Sequence, residues 1–270
     1  YKVSGVQTCA LPICCNPLSG ACEQGPFTGC TFVTVRDTML LTSDRNQNEG
    51  ANGLLAIHEN GPRRIVLSFA TGNPSLTGLV EARLALNTRF VDTNWPVAGG
   101  AIDAYRLNDE FVEGNGRNFN LPVDQVPDRG TGSGATFNCS ADSNVSNNAR
   151  DCATSWEGGN TAIPAAATAS LLVTPSTSGQ LEWNVTSAVT GGATRFLLRK
   201  PVQTDPGKIE FFSREGAAAA GDSNLAPKLI LRGPGQTPGG GAGVSRGDFD
   251  RSEEHTSELQ SPCNLVCRLL

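Results

Sequence analysis

The chain is 270 residues long with a net charge of −5. A mildly acidic chain of this kind has no electrostatic footprint for nucleic acid, and no run of ~18 apolar residues is present to insert into a membrane. Its length suits one β-sandwich domain plus fringes.

The two ends are set apart first. Val6–Ile13 can be back-translated into a DNA string whose reverse complement, shifted one frame, reads Arg-Ser-Glu-Glu-His-Thr-Ser-Glu, which is Arg251–Glu258. Natural termini have no reason to be complementary, whereas ligated sequencing adapters do. Residues 1–13 and 251–270 are therefore expected to be adapter-derived and are left out of the fold. The basic and acidic residues that go with them balance, so the charge stays at −5, and His58 is left as the lone histidine.

Cys14–Cys30 holds too few apolar residues for a core, so disulfides are expected to staple it. A metal knuckle is the other reading, but paired Cys-x-x-Cys spacing is missing. The run from Asn16 to Cys22 resembles the end of short cysteine-rich repeats of bacterial surface proteins. Thr31–Arg36 alternates into a first strand, and Asp37 opens an Asn/Gly-rich loop to Gly53. Leu54–His58 is the next strand, in which His58 reads as an ordinary surface or core residue.

The stretch from Pro62 to Phe69 organises the domain. Ile65, Leu67 and Phe69 point one way and Arg64, Val66 and Ser68 the other, the pattern of a half-buried strand. Leu79–Leu86 follows as its partner and Ala101–Leu107 as a further strand. From Asn108 to Ala162 the chain is polar and Gly/Asn/Asp-rich, which predicts a surface excursion. Cys139 and Cys152 lie inside it and are expected to bond to each other, pinning the loop. Ala167–Val173, Gln180–Val185, Arg195–Arg199, Lys208–Ser213 and Lys228–Arg232 are the remaining strands, with one helical turn at Thr186. Gly233–Gly243 is a Pro/Gly linker, with residues 233–250 counted outside the domain. About ten short strands and almost no helix predict an all-β antiparallel sandwich or jelly roll over 31–232.

Several runs, in this order, resemble the DNRLRE family of secreted β-sandwich domains, which is related to carbohydrate-binding modules. They are Asp37-Thr38, Arg64 to Phe69, Val80 to Leu86, Ala104 to Leu107, Phe111-Val-Glu, Thr154-Ser-Trp156, Trp183 to Val189, Phe211 to Gly216 and Pro227 to Leu231. Phe111, Ser68 and Asn184 depart from the family pattern. The resemblance implies a non-catalytic, polysaccharide-binding module of an extracellular protein, monomeric within a larger multidomain chain. The alternative is a structural spacer or adhesin domain that binds no sugar.

For sugar contact the candidates are Trp95, Tyr105, Arg106 and Trp156. Aromatic rings pack on pyranose C–H faces, and arginine pairs with uronate carboxylates. Arg117 and Arg129 are further cations of this type, while Trp183 reads as core. Asp109, Glu110 and Glu113 are the densest acids, but neighbours in one loop are not two carboxylates across a pocket. No nucleophile elbow, zinc helix or phosphate loop is present, so no enzyme is expected. No motif requires a cofactor. A structural Ca²⁺ is the one candidate, held by Asp37, Asp44 and Asn46, or by Asp222 and Asn224.

Overall fold

The alternation in the central stretch does build a sheet. Arg63–Ala70 forms the strand β6, hydrogen-bonded on one side to Arg36–Leu41 (β4) and on the other to Ala193–Arg199 (β11). The computed structural model describes residues 14–15, 22–23, 29–58, 62–71, 78–117, 128–189, 193–202 and 206–234. All belong to one unit, Tyr1–Gln236. The adapter-like ends, most of the cysteine-rich segment and the linker beyond residue 234 lie outside the described residues.

Two short strands come first, β1 (Cys14–Cys15) and β2 (Cys22–Glu23), paired with each other. The first large sheet has the order β3 (Gly29–Val33), β13 (Lys228–Arg232), β7 (Glu81–Val91), β12 (Ile209–Phe212) and β5 (Leu54–Ile57). Gln180–Asn184 (β10) also pairs with β7. The second sheet runs β4, β6, β11, β8 (Gly100–Arg106) and β9 (Ala169–Val173). Every pairing is antiparallel. The fold is thus an all-β sandwich.

The core lies between the sheets. Ile65, Leu67, Phe69, Phe196 and Leu198 come from the second sheet, and Leu84, Leu86, Trp183, Phe211 and Leu229 from the first. Trp183 is buried as its strand pattern predicts: its ring meets Phe211 edge-on at 6.2 Å, and its Nε1–H donates to the Ile102 carbonyl at 2.9 Å. Cys30 in β3 is disulfide-bonded.

Four features depart from the sequence expectations. Asp37 does not open a loop; it lies inside β4, and the loop begins after Leu41. A short helix, α1 (Arg214–Ala219), follows β12, with the Ser213 hydroxyl accepting the Gly216 N–H as its N-cap. The third concerns β6, which is buried on both faces rather than half-buried. The excursion after β8 is not a surface loop but a packed layer. Phe111, Ala135, Phe137, Trp156 and Ala162 from it cover Leu40, Val66, Leu197 and Tyr105 on the outer face of the second sheet.

With almost no regular structure, that layer satisfies its backbone locally. Asn48 is fully buried and acts as its hub. Its Nδ2 donates to the carbonyls of Glu113 and Ala135, and its Oδ1 accepts the N–H groups of Gly50 and Gly116. The expected disulfide, Cys139–Cys152, closes a further loop in the layer.

Candidate functional site

On the outer face of the second sheet, strand neighbours bring arginines together. Arg64 precedes Ile65, which pairs with Leu198, and Arg199 follows that residue on β11. Arg64 is 8% exposed. Its Nη1 donates to the carbonyls of Glu157 and Gly158 at 2.8 and 2.7 Å, and its guanidinium lies 5.0 Å from the Phe137 ring centre. Arg45 packs on the same ring at 4.5 Å, with its Nε donating to Asn138. Arg199 lies over Tyr105 at 4.7 Å and donates to Asn160 Oδ1.

None of these three arginines has a carboxylate partner among the described residues, whereas Arg83, Arg89, Arg129, Arg195, Arg214 and Arg232 are all paired. Burial, then the charges of Arg199 and Arg45, pull the Arg64 pKa down to about 10. The nearby Glu157 carboxylate offsets this only in part, so the group remains electrostatically unfavourable. The turn that caps it is strained as well. Glu157 has φ of 52°, the one positive φ outside glycine among the described residues. At Gly158, with φ of 62°, a Cβ would meet the Phe137 ring at 2.5 Å, so only glycine fits. Arg45 and Asn160 are exposed and Arg199 is half-buried, so polar nitrogens reach solvent above the buried Arg64.

A second charged group lies where the segment 111–117 crosses the free edge of β4. Glu113 Oε1 accepts the Asp37 N–H at 2.7 Å, and Arg36 Nη1 donates to the Phe111 carbonyl. Arg214 donates through its backbone N–H to Asp37 Oδ2, through Nη2 to Glu113 and Glu215, and through Nε to Glu215. One oxygen from each of Asp37, Glu113 and Glu215 falls within 4.8 Å of the others. The Arg214 guanidinium supplies the positive charge among them.

The residues singled out from the sequence fall elsewhere. Trp95 and Trp156, expected on polar loops as sugar platforms, are 2% and 3% exposed. Lys200 covers the Trp95 ring at 4.1 Å and the Lys208 carbonyl accepts its N–H. Trp156 stacks on Phe111 at 6.4 Å. Both rings seal the core because the loops carrying them fold back over the sheets, which leaves no free face for a pyranose. Tyr105 is likewise buried, its hydroxyl donating to Asp103 and accepting from Arg199. Arg106 is half-buried at the end of β8, and Arg129 is tied to Asp44 at 2.8 Å.

That ion pair also separates the expected calcium set. Asp44 is engaged by Arg129 and Asn46 by Asn138, while Asp37 belongs to the Arg214 group. The three do not form one donor set. Asp222 accepts the Asn224 N–H and caps a turn. Among the acids of the excursion, Glu110 pairs with Arg195 and Glu113 with Arg214, so they do not face one another.

Comparison with protein-family models and with curated proteins returns no match to this chain. The arginine group was only partly legible. The alternation of β6 aims Arg64 away from the sandwich core, but its nearness to Arg45 and Arg199 depends on sheet pairing and on how the excursion folds.

Proposed function

We propose that this domain is a non-catalytic carbohydrate-binding module of an extracellular protein, and that it takes an acidic polysaccharide through the Arg45–Arg64–Arg199 group. The observation that carries the reading is that, among the described residues, this group forms no salt bridge, although the chain's net charge is −5. Arg45 and Arg199 offer planar, multidentate donors suited to a uronate carboxylate or a sulfate ester. Arg64 strengthens the field from beneath while held by backbone carbonyls. The resemblance to DNRLRE domains supports the same class, and the Cys139–Cys152 disulfide suits an oxidising compartment.

A second reading, a structural spacer of a surface protein, is favoured by the burial of Trp95, Trp156 and Trp183, which removes the usual aromatic platform. Affinity electrophoresis separates the two. The domain is run through gels containing a polyuronate, a sulfated galactan or a neutral β-glucan. Retardation is expected in the acidic gels only, weakening as salt shortens the Debye length to ~10 Å or less. Arg45→Gln and Arg199→Gln should each weaken it about tenfold. If no gel retards the parent, the spacer reading stands in its place.

A further inference from the structure

The junction between β4, the segment 111–117 and α1 holds two acceptors with nothing to accept. Asp37 Oδ1 and Glu215 Oε2 are both buried and have no donor. Asp37 itself is 1% exposed. The donor nitrogens of Arg214 point to other acceptors: Asp37 Oδ2, Glu215 Oε1, Glu113 Oε2 and, through Nη1, the Val35 carbonyl. Three ionised carboxylates around one guanidinium would leave two negative charges uncompensated in a largely buried place, and that is costly. One oxygen of Asp37 lies within 4.8 Å of one of Glu215, so a donor shared between the two carboxyls would serve both bare acceptors.

We propose that Asp37 carries a proton at neutral pH and donates it to Glu215, making the junction a proton-dependent latch that ties α1 and the segment 111–117 to the edge of β4. One proton removes one of the surplus charges and gives both bare oxygens a partner. Burial, then the charges of Glu215 and Glu113, push the Asp37 carboxyl well above its usual range, against the Arg214 N–H and guanidinium that favour ionisation. Glu113 is also raised, by burial first. Among the described residues, the other elements bring no further charge to Asp37. Leu67 stands opposite on β6, and Arg36 of β4 turns its guanidinium to Phe111.

The sign follows from linkage. The folded state binds this proton more tightly than the unfolded chain, so its contribution is complete below the ordinary carboxylate range. It is lost as pH rises through the raised pKa, when the proton leaves to solvent and Asp37 becomes a buried, repelled anion. Because Glu113 holds the Asp37 N–H, alkaline loosening starts at the root of the layer that covers the second sheet.

The test uses the full chain. Infrared spectroscopy in D₂O at neutral pH should show a protonated carboxyl C=O band. Asp37→Asn should abolish the band, as should Glu215→Gln, whose amide can donate to an ionised Asp37. The melting temperature of the parent should fall as pH is raised from acid into the alkaline range, and Asp37→Asn, permanently neutral, should flatten that fall. A parent with no band, or a band that survives Asp37→Asn, overturns the proposal. So does an equal pH slope in parent and variant. Ca²⁺, Mg²⁺ and Mn²⁺ should leave the parent's melting temperature unchanged at neutral pH. A rise seen in the parent and lost in Asp37→Asn would put a metal ion where the proton is proposed, and would also overturn it.

Discussion

The inner face of the second sheet buries Ile65, Leu67, Phe69, Phe196 and Leu198 against strands of the first, whereas its outer face is covered by an irregular segment. Inside, regular alternation supplies the fit, and the strand ladders satisfy the backbone. Outside, polar side chains must do that work: Asn48 alone serves two carbonyls and two N–H groups of the covering layer. Charge is distributed accordingly. The inner face needs none, while the outer layer and its root at β4 hold Arg64, Arg199, Asp37 and Glu113, all at least partly withdrawn from water. A layer built from hydrogen bonds can hold charged groups at its margins, and that is where both unusual clusters of this domain occur.

If the inner face carries most of the stability, the largest loss should come from truncating it. Phe69→Ala, which removes a fully buried ring that meets Phe196 edge-on at 6.2 Å, is expected to cost about 3–5 kcal/mol. Urea unfolding reads this directly, and a loss below about 1 kcal/mol would mean that the sandwich collapses around the gap.

Asn48→Ala probes the outer layer. It strands two buried N–H groups and two carbonyls, for a loss of about 3 kcal/mol. The effect should be local first, with limited proteolysis cutting within 108–167 before the sandwich unfolds. Cleavage spread evenly over the chain would show that the two layers do not open separately.

The smallest effect sharpens the contrast between two tryptophans. The Trp156 Nε1–H is buried without an acceptor, whereas that of Trp183 reaches the Ile102 carbonyl. Trp156→Phe should therefore stay within about 1 kcal/mol of the parent, and Trp183→Phe should lose about 2 kcal/mol. Equal losses, read from melting curves, would remove the distinction.

Much of the sandwich was readable from local pattern. Period-two alternation in Ile65–Phe69, in Lys228–Arg232 and around Trp183 located strands that the structure bears out closely. The pairing of Cys139 with Cys152 followed from their isolation in one polar stretch. The candidate sites were far less legible. Composition placed Trp95 and Trp156 on loops and suggested exposure, but a loop that folds back buries whatever ring it carries.

The sequence by itself determined the β-strands and the inner core, because side-chain period and β-propensity act over a few residues. Only the tertiary structure decided that residues after β8 form a second layer, that Arg45, Arg64 and Arg199 meet there with no salt-bridge partner among the described residues, and that Asp37 joins Glu113 and Glu215. Those neighbours are between 19 and 178 residues apart in the chain. Burial and Coulomb interactions depend on distance in space, which no local pattern encodes.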